Sequence, residues 1–140
     1  MTCCHERKVV TVENGPKAIG PYSLAIQTGT LVFTSGQLGL DPVTGALVEG
    51  GVEAETFQAL KNLQTILEAA GSDLSLVVKT TVFLRDINDF TKMNAIYAQF
   101  FGEQPPARSA IQVAALPKAA AVEIEAVAML PEDEEGCCCN

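Results

Sequence analysis

The sequence contains one histidine, His5, and no tryptophan, and none of its five cysteines falls between Cys4 and Cys137. With its imidazole at the extreme N-terminus, the chain cannot build a Ser-His-Asp or Cys-His nucleophilic site within its body, and histidine metal centres are excluded with it. A disulfide framework would place cysteines among the elements it crosslinks. The runs Cys3-Cys4 and Cys137-Cys138-Cys139 also lack the C-x2-C spacing of zinc modules. They read as tails outside the packed domain; the sharper alternative is a thiolate cluster drawing Cys3, Cys4, His5 and the C-terminal run onto a soft metal. The expectation is no metal. A Walker phosphate loop and a G-x-G-x-x-G after a strand are also missing.

No apolar run approaches the ~18 residues of a bilayer span, and no apolar core follows Arg7 and Lys8 as a signal peptide requires. A cytoplasmic protein without a membrane partner is the expectation. Basic residues are scarce, 9 Lys and Arg against 17 Asp and Glu, a net charge of −8 that repels a nucleic-acid backbone. Four of those acids, Glu132, Asp133, Glu134 and Glu135, sit in the last ten residues, so the body is only mildly acidic.

The 140 residues, 48% apolar, have room for one domain, large enough to bury a core without staples. We divide the chain into an N-terminal extension (1–7), a domain (8–130) and an acidic, Cys-rich tail (131–140). A strand over 9–12 ends at Glu13-Asn14-Gly15-Pro16. After the Gly20-Pro21-Tyr22 bend, strands over 24–27 and 31–34 flank the turn Thr28-Gly29-Thr30. Helical spacing of Leu60, Leu63, Leu67 and Ala70 predicts a helix over 52–70, stopped by Gly71. Residues 75–84 are dense in β-branched side chains and predict a central strand. Asn88 caps a second helix over 89–101, whose stripe Phe90, Met93, Tyr97 and Phe100 reads as core. Two strands, 109–113 and 121–129, close the chain. The order predicts an α+β domain with two helices on one face of a mixed sheet.

Two features point to chemistry. Arg108 follows the stiff Pro105-Pro106-Ala107 approach, and a planar guanidinium takes a carboxylate through two parallel hydrogen bonds. Glu123 and Glu125 alternate with Val122, Ile124 and Ala126, which puts two carboxylates on one strand face. If the last two strands pair across a turn at 116–119, opposed residue numbers sum to 235. Arg108 and Glu123 then share a face, about 13 Å apart along the sheet. Ser35 and Gly36 end an apolar strand where backbone N–H groups can meet a ligand.

The segments Ala18-Ile19-Gly20-Pro21-Tyr22-Ser23, Phe33-Thr34-Ser35-Gly36-Gln37, Lys79-Thr80-Thr81-Val82-Phe83-Leu84, Asn88-Asp89-Phe90, Asn94, Pro106-Ala107-Arg108-Ser109 and Ile124-Glu125-Ala126 together resemble the reactive intermediate deaminase (RidA, or YjgF) family. The resemblance is collinear over about residues 8 to 130. It implies a chorismate-mutase-like α+β fold, a homotrimer with clefts at its interfaces, and hydrolysis of 2-imino acids such as 2-iminobutanoate and 2-iminopropanoate to 2-keto acids and ammonia. By position it implies that Arg108 grips the substrate carboxylate and Glu123 activates water. It likewise implies that Tyr22, Ser35, Gly36, Asn94 and Ala110 contribute to the substrate pocket. Ala110 stands where many relatives have cysteine, which puts thiol-dependent reactivity in doubt. No cofactor is expected, because a protonated imine is already electrophilic. Two other readings are a ribonuclease or translation inhibitor, against which the acidic balance argues, and a binding module without turnover.

Overall fold

The computed structural model describes residues 6–132. Seven strands form one sheet: β1 (Arg7–Val9), β2 (Ala25–Thr28), β3 (Leu31–Thr34), β4 (Gln37–Leu38), β5 (Val77–Leu84), β6 (Ala107–Gln112) and β7 (Val122–Met129). Two helices, α1 (Gly51–Ala69) and α2 (Phe90–Phe101), complete the α+β architecture. The spatial order is β1-β2-β3-β7-β5-β6, with β4 also paired to β7. All pairs are antiparallel except β5 and β6, so the sheet is mixed as expected.

The first strand lies two residues nearer the N-terminus than its apolar run suggested, because pairing to β2 fixes it. Val10 continues the ladder by donating its backbone N–H to the Ala25 carbonyl. The hairpin of β2 and β3 turns at Gly29, with φ of 55°. Helix α1 ends as its sequence predicts. Gly71 takes φ of +83°, its N–H reaches the Glu68 carbonyl, and the Ser72 N–H reaches that of Leu67, a closure that satisfies two carbonyls of the last turn. Asn88 is not the cap of α2. The Asp86 side chain accepts from the Asn88 N–H at 2.9 Å, closing a single 3-10 turn (Ile87–Asp89) that delivers the chain into α2.

The pairing of the last two strands differs from the expected hairpin. β6 lies parallel to β5, with Arg108 opposite Thr80, whereas β7 inserts antiparallel between β3 and β5. The reason lies in the connection: β5, α2 and β6 form a strand-helix-strand crossover, which sets its two strands parallel and adjacent. β6 is thereby an edge strand. Ala126 pairs with Thr80 and Thr80 with Arg108, which puts Arg108 on the helix-covered face, while Glu123 pairs with Phe83 on the open face. Arg108 and Glu123 therefore point to opposite sides of the sheet, and the shared face and the register summing to 235 are both corrected.

The core lies between the sheet and the helices: Leu60, Leu63, Ile66 and Leu67 of α1 meet Val32, Val82 and Ile124, all fully buried. α2 packs on α1, where Phe57 and Phe100 meet edge-on at 5.4 Å. The other sheet face carries Phe33, Ile111 and Met129 exposed, beside the half-covered Phe83 and Val127.

Candidate active site in two halves

The first half is built around Glu123. Its carboxylate lies against Gly36, so closely that a Cβ there would stand 2.8 Å from Glu123 Cδ and Oε1. A side chain at position 36 would have to displace the Glu123 carboxylate from this place, so glycine here lets the carboxylate lie against the backbone. Burial pushes the Glu123 carboxyl pKa up, and the neighbouring charge of Glu125 pushes it the same way. The carboxyl borders a cavity of about 640 Å³ that Ser35, Gly36 and Tyr22 also line. Ser35 is fixed by its hydroxyl, which donates to the Ser23 carbonyl at 2.6 Å, and by its N–H, which donates to the Leu24 carbonyl. The Tyr22 hydroxyl accepts from the Ile19 N–H at 3.2 Å, holding the ring across the Gly20-Pro21 bend. The segment 41–45 forms the far wall, tied to the rest by Lys118 Nζ donating to the Gly45 carbonyl at 3.0 Å.

The second half is built around Arg108, half-buried on β6. Its Nη1 donates to Asn94 Oδ1 at 2.7 Å, and its Cζ stands 4.7 Å from the Tyr97 ring centre and 5.3 Å from that of Phe90. Phe90, Asn94 and Tyr97 recur along one face of α2, so a single helix supplies the whole slot. Ala110 follows on the same face of β6 and packs against the core. None of Arg108, Asn94 and Ala110 lines the Glu123 cavity. Within one chain, therefore, Tyr22, Ser35, Gly36 and Glu123 come together, Arg108, Asn94 and Ala110 come together, and the two groups stay apart.

The aromatic part of the arginine slot escaped the sequence reading, which took Phe90 and Tyr97 as core. Phe90 at 37% exposure is not core, and a polar Asn94 within the stripe was the available signal. Among the described residues no cluster of three or more His, Cys, Asp or Glu could hold a metal ion. The thiolate cluster of Cys3, Cys4, His5 and the C-terminal cysteines lies outside the described residues. No helix of the described chain is long and apolar enough to cross a membrane.

A compact α+β sheet with one cationic and one acidic half-site defines a class that the comparisons identify. Residues 12–130 match the family model described as Endoribonuclease L-PSP, and the chain belongs to this family, which includes the RidA and YjgF proteins. It is 55% identical over 123 residues to human 2-iminobutanoate/2-iminopropanoate deaminase, covering 88% of this chain and 90% of that one. Among solved structures it is similar to RidA from the Antarctic bacterium Psychrobacter sp., with 44% identity and a TM-score of 0.85 over 89% of this chain and 100% of that one. It is also similar to the YjgF gene product of E. coli, with 46% identity and a TM-score of 0.83 over 87% of this chain and 98% of that one.

Proposed function

We propose that this chain hydrolyses 2-iminobutanoate, 2-iminopropanoate and related 2-imino acids to 2-keto acids and ammonia, in a site completed between copies of the chain. The 55% identity to a relative bearing that activity in its name carries the reading of the reaction. The separation of the Arg108 and Glu123 groups supports its completion by a second copy. Two unlike half-sites on one chain favour a heterologous contact, in which the arginine half of one copy meets the glutamate half of the next. Rotation closes such contacts into a ring, here a homotrimer. The edge of β6, unpaired among the described residues, and the apolar open face around Phe33, Ile111 and Met129 are surfaces that such a ring would cover.

In this mechanism Arg108 binds the substrate carboxylate through two parallel hydrogen bonds, oriented by Asn94. The anion and its positively charged imine are thereby held with C2 facing Glu123. Glu123 takes a proton from water as the oxygen adds to C2, passes that proton to nitrogen, and then takes the hydroxyl proton of the adduct as the C–N bond breaks and the C=O bond forms, releasing ammonia and the 2-keto acid. Tyr22, Ser35 and Gly36 border the space in which the water and the substrate chain lie. The reaction requires no cofactor, and a cytoplasmic site would place the protein beside enzymes that release such imines. The endoribonuclease reading needs a basic surface to gather phosphates, and a net charge of −8 opposes it.

The test is a coupled assay in which a threonine dehydratase generates 2-iminobutanoate and keto-acid release is followed with time. The wild-type chain accelerates release, and Arg108→Ala lowers kcat/KM about 100-fold, the cost of losing two charge-assisted hydrogen bonds. Release by Arg108→Ala at the wild-type rate would remove Arg108 from the site. A wild-type chain that binds keto acid yet leaves release unchanged would make it a binding module.

A further inference from the structure

Thr80 and Tyr97 form a buried polar pair that the proposed mechanism does not use. Thr80 Oγ1 and the Tyr97 hydroxyl are 2.7 Å apart, in side chains only 1% and 6% exposed. In a core strand a valine would fill the space of Thr80, and a phenylalanine on α2 would fill that of Tyr97, without the cost of burying two hydroxyls. Their placement gives the pair a use. Thr80 is the cross-strand partner of Arg108, on the same face, and the ring it anchors is the one that lies 4.7 Å from the guanidinium carbon. Tyr97 also packs against Phe101, at 4.6 Å between ring centres. Burial raises the Tyr97 pKa, so the hydroxyl stays protonated and available to the hydrogen bond.

We propose that Tyr97, locked by Thr80, is a positioning residue that fixes the Arg108 fork for carboxylate binding. This rests on the reading of Arg108 as the carboxylate-binding group. An unrestrained arginine loses much side-chain freedom when a substrate arrests it; an arginine laid beside a fixed ring with Asn94 on its Nη1 has lost that freedom already, so binding is tighter. The aromatic slot has a second consequence. It holds the cation over two aromatic rings, whose π faces attract it without using its hydrogen-bond donors.

The experiment compares Tyr97→Phe and the double variant Thr80→Val/Tyr97→Phe with wild type by steady-state kinetics on 2-iminobutanoate, with thermal melting alongside. The double variant removes both hydroxyls together and leaves no orphaned polar group, so it keeps its fold. We expect KM to rise five- to tenfold in both variants, with kcat within twofold of wild type, the signature of lost uniform binding. The rotation of the Arg108 guanidinium, followed by NMR, quickens in both, a change that a purely packing role would not produce. Wild-type KM and unchanged guanidinium rotation in the double variant would overturn the proposal. Arg108→Lys, measured in parallel, separates the two readings: wild-type KM in that variant would defeat the role of Arg108 itself, and with it the positioning proposal.

Discussion

Glu123 pays for its position in protonation. Its carboxyl is held over Gly36, partly withdrawn from water and beside a like charge on Glu125, and both influences favour the neutral acid. In the proposed role of base, which requires the ionised form, Glu123 would lose activity on acidification sooner than an ordinary glutamate. The lower limb of the kcat profile is expected to fall at a pH above the usual glutamate value. Glu125→Gln, which removes the repulsion, moves that limb to lower pH. A limb that stays in place or moves upward would show that Glu123 is not the titrating base. The linkage to stability has the opposite sense: a raised folded-state pKa favours the fold below the unfolded value, and that contribution is lost as pH rises through the folded value. The sequence singles out both Arg108 and Glu123 as candidates, the first from its stiff approach, the second from alternation along β7. Which way they face was not. A period of two says which residues of a strand share a side but not which strand lies beside it, and Ile111, 48% exposed on the edge strand, drew the apolar face of β6 to the wrong side.

At the scale of elements, α1 does more than cover the sheet. Its buried Glu55 carboxylate accepts the Ala121 N–H at 2.9 Å, just before β7, and Asn62 Nδ2 donates to the Leu38 and Leu40 carbonyls at 3.3 and 2.9 Å. One helix thus pins both the entry to β7 and the segment after β4, and so sets the floor of the Glu123 cavity. The apolar spacing that revealed α1 could not reveal these contacts, because buried polar residues interrupt the stripe and their partners lie far away in sequence. β4 went unread for a related reason: two residues carry no period, and pairing with β7 alone defines the strand. The helix approaches so closely that a Cβ on Gly39 would stand 2.6 Å from Glu55 Cα and 2.7 Å from its carbonyl oxygen, backbone atoms that cannot swing aside. Gly39→Ala is expected to cost about 2 kcal/mol, a fall in Tm on the order of 6 °C by calorimetry. An unchanged Tm would mean that the contact of α1 with this segment is looser than described.

On the scale of the whole molecule, the chain presents its two groups of candidate site residues on opposite faces of one sheet. The family resemblance implies clefts between copies, whereas the residues alone suggested a site within one chain. The difference comes from β7, which lies between β3 and β5 and holds Glu123 away from the β6 edge that carries Arg108. The most direct measurement is complementation between two inactive variants, Arg108→Ala and Glu123→Gln, unfolded together, refolded as a mixture and assayed for keto-acid release. If each site takes its arginine from one copy and its glutamate from the next, random mixing in equal amounts restores about a quarter of wild-type activity, since each required half is intact in half of the copies. A mixture no more active than either variant alone, from chains shown by light scattering to have formed mixed oligomers, would contradict a site shared between copies.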